Sequence, residues 1–285
     1  MAELLRGAPV ADAILDRLRL ESAALAERGL TPCLAVVRVG ERPDDLSYER
    51  AVERRCERCG ILLLRVSLPA DVEQPRLLDT LRALSADGAV HGILLLRPLP
   101  AHLDDAAACA AVAAEKDVDG VAPGSMAALY RGSGEGFPPC TAEACLTLLR
   151  HYGVPLAGRR AVVAGRSAVI GKPAALLLLR ENATVTIAHS RTEDLPALCR
   201  EADVLVCAAG KAGLIGREHL RPGQTVLDVG IHESGGRLCG DVRFDEAEPI
   251  VSAITPVPGG VGAVTTAILC RHTVEAARRG LPRLP

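Results

Sequence analysis

Short apolar runs alternate with amphipathic helical patterns along the chain, and this alternation constrains the fold more than any other feature. Apolar residues recur at helical spacing over 11–27, and an apolar run over 33–39 follows and ends at Gly40. Alternation of this kind is typical of parallel sheets covered by helices, so it predicts an α/β architecture. Further helices are predicted over 45–59, 74–86, 141–152 and 264–279, and further strands over 61–66, 90–96, 160–164, 184–188, 204–208 and 225–229.

The spacing of the predicted strands indicates two domains. A length of 285 residues fits two domains of ordinary size. The segment 132–139 is rich in glycine and proline and is the best candidate for the joint between them. Four strands follow it in quick succession, as in half of a doubly wound nucleotide-binding sheet. We therefore predict a nucleotide-binding domain after this joint.

The composition argues against several classes of partner. The net charge is −2, which gives no general electrostatic footprint for nucleic acid. Aromatic residues make up 2% of the chain, too few for a surface that stacks single-stranded bases. No apolar stretch approaches the roughly 20 residues needed to cross a bilayer, and the first residues lack a secretory apolar run. We expect a cytoplasmic protein that binds neither nucleic acid nor membranes.

The ten cysteines are scattered along the chain. Only Cys56 and Cys59 form a CxxC pair, and no second pair stands at a zinc-site distance. Others lie in apolar runs, as Cys207 does, where cysteine behaves as a small hydrophobic residue. The pattern favours reduced, structural thiols without a metal site; a disulfide framework or a metal site is the alternative.

A glycine-rich turn over 165–173 follows a predicted strand and opens an apolar helix. Gly165 would allow a tight turn, and Gly171 a close approach of the backbone to a ligand. Pro173 suits the first turn of a helix, whose free N–H groups favour a phosphate. The five residues between the glycines depart from G-x-G-x-x-G, and Pro173 stands where a P-loop carries Ser or Thr. We predict a nucleotide site here, and an ordinary strand-to-helix turn is the alternative.

The next strand leads into His189, Ser190, Arg191 and Thr192. An NAD site usually has an acidic residue near this point, which holds the ribose hydroxyls. Hydroxyl groups and arginines suit a 2′-phosphate instead, so the segment favours NADP over NAD. The alternative is a polar loop in an arginine-rich chain.

Together these motifs resemble the bifunctional methylenetetrahydrofolate dehydrogenase/methenyltetrahydrofolate cyclohydrolase family of one-carbon metabolism. The similarity covers nearly the whole chain in the family's order, and its last block, TPVPGGVG over 255–262, is highly specific. The other matching positions are 34–40, Tyr48, Cys56, 92–94, 98–100, 116–120, 139–141, 165–173, 189–192, 228–231 and 240–242.

The resemblance implies a particular organisation and activity. An N-terminal α/β folate-binding domain would comprise 1–141 and a returning C-terminal helix over 262–285. A Rossmann-like NADP-binding domain would comprise 142–261, with a cleft between the two. The dehydrogenase would oxidise 5,10-methylenetetrahydrofolate with NADP⁺, and the cyclohydrolase would hydrate the methenyl product to 10-formyltetrahydrofolate. Such proteins usually form homodimers.

The resemblance also assigns site residues. Tyr48 and Asp119 are the predicted catalytic residues: Tyr48 would pack on the folate, and Asp119 would hold the pterin edge. The predicted substrate-binding positions are Tyr48, Val52, Leu96, Pro98, Asp119 and the closing loop of Pro258, Gly259 and Gly260. The predicted cofactor-binding positions are Gly165, Arg166, Ser167, Ile170, Gly171, Ser190, Arg191 and Ile231, with Arg166 and Ser190 near the 2′-phosphate.

The chain departs from the family pattern at two coupled positions. The family's catalytic lysine, four residues after the tyrosine, falls at Val52, and the glutamine that assists it falls at Leu96. Hydride transfer depends mainly on the orientation of two bound reactants, whereas water addition needs a positioned proton-transfer group. We therefore predict a dehydrogenase whose cyclohydrolase activity is weak or absent. Arg55, one turn beyond Val52, is an alternative source of charge.

Two other functions fit the same residues. One is a catalytically silent paralogue that binds folate or NADP, and tight NADP binding without turnover would identify it. The other is a dehydrogenase of the same fold that acts on a different small substrate, and failure to bind any folate would identify that.

Overall fold

The computed structural model describes residues 1–281 and confirms the two-part α/β architecture. Met1–Asp12 and Thr141–Thr265 form one compact unit, here called the six-stranded unit. Ala13–Cys140 and the chain from Thr266 form the other, here called the three-stranded unit. Residues 282–285 of the predicted returning segment lie outside the described residues.

The helices and strands follow one another in the predicted alternation. The α-helices are α1 (Gly7–Glu27), α2 (Pro43–Cys59), α3 (Gln74–Ala86), α4 (Asp105–Ala110), α5 (Pro123–Arg131), α6 (Cys140–His151), α7 (Gly171–Arg180), α8 (Leu195–Glu201), α9 (Phe244–Ala247) and α10 (Val261–Arg279). The strands are β1 (Glu3–Leu4), β2 (Cys33–Val39), β3 (Leu62–Leu68), β4 (Gly92–Leu95), β5 (Arg160–Ala164), β6 (Thr184–Ala188), β7 (Val204–Cys207), β8 (Thr225–Asp228), β9 (His232–Ser234), β10 (Arg237–Cys239) and β11 (Ala253–Ile254).

Each unit is built on a parallel sheet. The strand order is β1-β11-β8-β7-β5-β6 in the six-stranded unit and β3-β2-β4 in the three-stranded unit. The register places Val163 of β5 between Ile187 of β6 and Val206 of β7. Strands β7 and β8 are buried along their whole length, and β7 is accordingly a continuous apolar run in the sequence.

The predicted domain boundary is wrong at the N-terminus. Glu3 and Leu4 of β1 pair in parallel with Ala253 and Ile254 of β11, so the first twelve residues pack with the six-stranded unit. A strand of two residues carries no periodic pattern that would have revealed this pairing. The predicted joint over 132–139 lies immediately before the change of unit at Thr141.

Two buried carboxylates organise the loops of the six-stranded unit. Asp228, at the end of β8, accepts hydrogen bonds from the backbone N–H groups of Gly230 (3.1 Å), Asp241 (2.9 Å) and Val242 (2.9 Å). Burial raises the pKa of Asp228 to about 6 in spite of these donors. Gly240 must lack a side chain because a Cβ there would lie 1.9 Å from a carboxylate oxygen of Asp228.

The second carboxylate, Asp241, holds the loop that follows β7. It is fully buried and accepts hydrogen bonds from the N–H groups of Ala209 (2.6 Å), Gly210 (3.0 Å) and Lys211 (3.0 Å). His232 Nε2 donates a fourth, at 2.7 Å. One side chain thus fixes a loop about thirty residues away in sequence.

Replacement of this carboxylate tests its structural role. Asp241→Ala leaves four donors without their acceptor, so we expect the free energy of unfolding to fall by roughly 3–5 kcal/mol. Urea unfolding followed by circular dichroism measures the change. Asp245→Ala, at an exposed position on α9, should change stability by less than about 0.5 kcal/mol. A loss below about 1 kcal/mol in Asp241→Ala would contradict this role.

Candidate active site

A cavity of about 490 Å³ lies at the carboxyl ends of β5, β6 and β7. Ligands of open parallel sheets bind at this edge, where loops that leave adjacent strands diverge. The cavity is lined by Ala164, Gly165, Arg166, Ser167, Ala188, His189, Ser190, Thr192, Leu195, Ala208, Ala209, Lys211 and Leu214.

The glycine-rich turn owes its shape to contacts within the protein. Gly165 has φ +147°, and a Cβ there would lie 2.1 Å from the carbonyl oxygen of Ala208. A Cβ on Gly171 would lie 2.3 Å from the carbonyl oxygen of Gly165. Gly171 is therefore needed for α7 to pack on the end of β5, a role different from the predicted approach to a ligand.

The start of α7 is capped by its own turn. Ser167 Oγ accepts hydrogen bonds from the N–H groups of Ile170 (3.1 Å) and Gly171 (3.3 Å), and the Ser167 carbonyl accepts from Lys172 (3.1 Å). These N–H groups are thus already bonded, contrary to the expectation that they are free for a phosphate. The positive charge at this cavity comes instead from the side chains of Arg166 and Lys211.

The turn after β6 presents polar groups without a carboxylate. Thr192 Oγ1 accepts from the N–H of His189 (2.9 Å), and His189 Nδ1 accepts from the N–H of Arg191 (3.2 Å). Among the described lining residues there is no Asp or Glu, and Ser190 stands where an NAD site usually has one. The electrostatics of the cavity therefore suit a phosphate-bearing ligand.

The cavity brings together only part of the predicted cofactor set. Gly165, Arg166, Ser167 and Ser190 line it. The other predicted positions, Ile170, Gly171, Arg191 and Ile231, are not among the described lining residues. His189 and Thr192, which belong to the segment that the sequence analysis singled out for NADP, also line the cavity. Prediction from the sequence missed Ala208, Ala209 and Lys211, although the loop after the apolar run of β7 marks them as following a strand end.

A second group of polar residues surrounds Tyr48 in the three-stranded unit. The half-buried Tyr48 lies on α2, which is anchored to β2 by a buried ion pair between Arg38 Nε and Glu49 Oε2 (3.1 Å). Burial raises the pKa of Tyr48, and the nearby carboxylate of Asp119 and thiols of Cys140 and Cys270 raise it further. Tyr48 and Asp119, the two predicted catalytic residues, are therefore close enough to interact electrostatically.

Asp119 is half-buried, and the groups around it have opposing effects on its pKa. Burial and the neighbouring carboxylate of Asp117 raise its pKa to about 6. The guanidinium of Arg97, a hydrogen bond from the Cys140 thiol and His272 act in the opposite direction. Asp119 is consequently a carboxylate at pH 7 but loses its charge under mildly acidic conditions.

The two predicted departures from the family pattern are both apolar and buried. Val52 is fully buried on α2, four residues after Tyr48, and Leu96 is 6% exposed directly after β4. Neither side chain can donate or accept a proton. The half-buried Arg55 lies close enough to lower the pKa of Tyr48, so its charge does reach this cluster.

The remaining predicted substrate positions lie in two loops. Exposed Pro98 follows a cis peptide bond after Arg97, and its carbonyl accepts a hydrogen bond from Arg42 Nη1 (2.9 Å). Pro258, also preceded by a cis bond, begins a turn in the six-stranded unit in which Gly259 has φ +98°. A Cβ on Gly260 would lie 2.5 Å from the carbonyl oxygen of Pro256, so this turn requires glycine.

The ten cysteines all carry free thiols. Within residues 1–281, no group of three His, Cys, Asp or Glu side chains has an arrangement that could hold a metal ion. No helix in the same part of the chain is long and apolar enough to span a membrane.

Comparisons with known proteins agree with this arrangement. Residues 5–119 match the tetrahydrofolate dehydrogenase/cyclohydrolase catalytic domain, and residues 139–281 match the NAD(P)-binding domain of the same family. The chain is 50% identical over 279 residues to the bifunctional protein FolD of Carboxydothermus hydrogenoformans, with 97% of each chain covered.

Two solved structures are also similar. The bifunctional enzyme FolD, a methylenetetrahydrofolate dehydrogenase/cyclohydrolase from Campylobacter jejuni, superposes with a TM-score of 0.96 at 38% identity, covering 99% of this chain and 100% of the other. The Trypanosoma brucei methylenetetrahydrofolate dehydrogenase-cyclohydrolase, complexed with NADP cofactor and inhibitor, gives a TM-score of 0.91 at 39% identity, covering 98% of each chain. Sequence, fold and family matches over most of its length thus show that this chain belongs to the tetrahydrofolate dehydrogenase/cyclohydrolase family.

Proposed function

We propose that this protein is an NADP⁺-dependent 5,10-methylenetetrahydrofolate dehydrogenase whose methenyltetrahydrofolate cyclohydrolase activity is weak or absent. The observation that carries the proposal is the contrast around Tyr48. Asp119, which the resemblance assigns to the pterin edge, is present and interacts electrostatically with Tyr48. Val52, at the position that the resemblance assigns to the catalytic lysine, is fully buried and apolar.

The cavity of the six-stranded unit fits NADP. Arg166 and Lys211 supply positive charge, Ser190 supplies a hydroxyl, and the lining described above carries no carboxylate that would repel a 2′-phosphate. When bound, NADP⁺ accepts a hydride from the methylene carbon of the substrate. The roles of Ile170, Arg191 and Ile231 in cofactor binding stay predictions from the resemblance.

Tyr48 and Asp119 would bind the folate. The aromatic ring of Tyr48 would pack on the flat surface of the substrate, and the Asp119 carboxylate would accept hydrogen bonds from N–H groups at the pterin edge. Because the pKa of Asp119 is about 6, the carboxylate can accept these bonds at neutral pH. Contacts of Pro98, Pro258, Gly259 and Gly260 with the substrate stay predictions.

The two reactions make different demands on these residues. Hydride transfer requires the two reactants to be held in the correct relative orientation, and it requires no proton transfer by a protein group. Addition of water to the methenyl cation requires a group that removes a proton from the attacking water. Val52 and Leu96 cannot do so, and Arg55 stays protonated and cannot act as a base. The raised pKa of Tyr48 keeps its phenol neutral, so it is a poor base as well.

We also propose the organisation of the molecule. The six-stranded unit would bind NADP, and the three-stranded unit with the C-terminal helix would bind folate. The ten free thiols support a location in the reducing cytoplasm. The homodimer implied by the resemblance is supported by β3, an edge strand with Leu62 59% and Leu64 40% exposed, since a second copy could cover this edge.

The dehydrogenase proposal is tested by initial rates with 5,10-methylenetetrahydrofolate and either NADP⁺ or NAD⁺. We expect NADPH formation in the wild type. Arg166→Ala should raise the KM for NADP⁺ about 10- to 100-fold, since a charge-assisted phosphate contact is worth about 1.5–3 kcal/mol. The KM for NAD⁺ should change little, and Arg159→Ala, exposed at the opposite end of β5, is the matched control. Tight NADP⁺ binding without turnover, or NADP⁺ binding without folate binding, would contradict the proposal.

Restoring the family's lysine and glutamine at positions 52 and 96 tests why the cyclohydrolase activity is proposed to be weak or absent. Val52→Lys with Leu96→Gln should accelerate hydrolysis of methenyltetrahydrofolate by about 10²-fold or more over the wild type, because it supplies a proton-transfer group. The loss of absorbance of the methenyl compound measures the rate. Val52→Leu with Leu96→Met, which alters the same positions without polarity, should leave it unchanged. The explanation fails if the polar double variant folds and binds folate but hydrolyses no faster.

The homodimer is tested by light scattering coupled to size-exclusion chromatography. The wild type should elute with twice the mass of one chain. Leu64→Lys should shift it toward the monomer, because a charge on an exposed edge strand opposes pairing with another chain. Leu179→Lys, at a 58% exposed leucine on α7, should leave the measured mass unchanged. A monomeric wild type would refute the proposed assembly.

A further inference from the structure

The cavity of the six-stranded unit carries cationic side chains on loops from two different strands. Arg166 follows β5 and Lys211 follows β7, and both line the cavity, as does Ser190 after β6. The strand order β7-β5-β6 places β5 in the middle, so Lys211 and Ser190 lie on loops from strands two positions apart. Because neighbouring strands are about 4.8 Å apart, the ends of these two strands are roughly 10 Å apart.

The loop that carries Lys211 is held in place at several points. The N–H of Lys211 donates to Oδ1 of the fully buried Asp241 (3.0 Å), and His232 Nε2 lies 2.7 Å from the same oxygen. Farther along the loop, the N–H of Ile215 donates to the carbonyl oxygen of Asp241 (2.9 Å). Gly210, directly before the lysine, has φ +69°, which residues with a side chain rarely adopt. The backbone at Lys211 is therefore fixed relative to the cavity.

The charge of Lys211 is available to a ligand. Its side chain is exposed, and no Asp or Glu is among the described residues that line the cavity with it. The start of the helix after the first strand is where a nucleotide-binding sheet usually holds a diphosphate. Here three N–H groups at the start of α7 already donate to Ser167. A diphosphate in this cavity therefore depends more on side chains for its compensating charge.

The type of cation also differs between the two loops. Lysine is rare in this chain, since three of its 33 basic residues are lysines. An ammonium group is a compact charge whose three donors can be shared between neighbouring phosphates, whereas a guanidinium group grips one oxyanion through a planar pair of donors. Arg166 thus suits a single terminal phosphate, and Lys211 suits a diphosphate.

We propose that Lys211 binds the diphosphate that NADP and NAD share, while Arg166 and Ser190 bind the 2′-phosphate that only NADP carries. This inference rests on the proposed function, in which the cavity holds NADP. Recognition is then divided between two loops: Lys211 sets the affinity for either dinucleotide, and Arg166 sets the preference for NADP.

Isothermal titration calorimetry with three ligands separates the two roles. NADP⁺ carries both kinds of phosphate, NAD⁺ carries only the diphosphate, and adenosine 2′-monophosphate carries only the 2′-phosphate. Lys211→Met removes the charge and keeps an apolar side chain. It should weaken the binding of NADP⁺ and NAD⁺ about 10-fold each, the order of a charge-assisted contact, and leave adenosine 2′-monophosphate unchanged. Arg166→Ala should weaken NADP⁺ and adenosine 2′-monophosphate and leave NAD⁺ unchanged.

Two further variants separate a specific contact from a general effect of charge. Lys211→Arg keeps a positive charge and should bind NADP⁺ within about threefold of the wild type. Arg217→Met removes a charge from an exposed position of the same unit that is not among the described lining residues. It should leave all three affinities unchanged. A loss in Arg217→Met as large as in Lys211→Met would overturn the proposal.

The outcomes also distinguish this inference from the proposed function, because calorimetry requires neither folate nor turnover. Wild-type affinity for NADP⁺ in Lys211→Met, or an equal loss of NADP⁺ and adenosine 2′-monophosphate binding, would overturn the role of Lys211 and leave the proposed function standing. A wild type that binds no NADP⁺ would overturn both. Tight NADP⁺ binding that depends on Lys211, in a protein without dehydrogenase activity, would contradict the proposed function alone.

Discussion

A carboxylate removed from water must be compensated by donors, and this constraint organises both candidate sites. In the six-stranded unit, Asp241 accepts four hydrogen bonds and thereby fixes the loop over 209–211, part of which lines the cavity. In the three-stranded unit, burial and the neighbouring carboxylate of Asp117 raise the pKa of Asp119 to about 6, and the guanidinium of Arg97 opposes them.

The same constraint explains how one activity can be lost without the other. In the proposed function, Tyr48 and Asp119 bind and orient the folate, and orientation is sufficient for hydride transfer. A lysine at the buried position of Val52 would need a polar partner, and Leu96, at the position of the family's glutamine, provides none. Loss of both polar groups leaves no unpaired buried group, so the cluster around Tyr48 can stay stable without its proton-transfer function.

The sequence predicted the regular parts of the fold because apolar runs mark the strands and amphipathic spacing marks the helices. Strands β5 and β6 and helix α3 have the predicted bounds. The pairing of β1 with β11 and the hairpin of β9 and β10 involve strands of two or three residues, too short for a pattern. Likewise, Tyr48 and Asp119 were identified through the family resemblance, but Cys140 and His272 are 132 residues apart and only the fold brings them together.

In the proposed function, oxidation and hydration are separated in this protein. The most direct measurement mixes the purified wild type with 5,10-methylenetetrahydrofolate and NADP⁺ and follows NADPH and the methenyl product in the same sample. We expect both to rise together, and the methenyl compound then to decay at its spontaneous rate. NADPH formation without accumulation of the methenyl compound would contradict this separation, because a group other than those at positions 52 and 96 would then catalyse the addition of water.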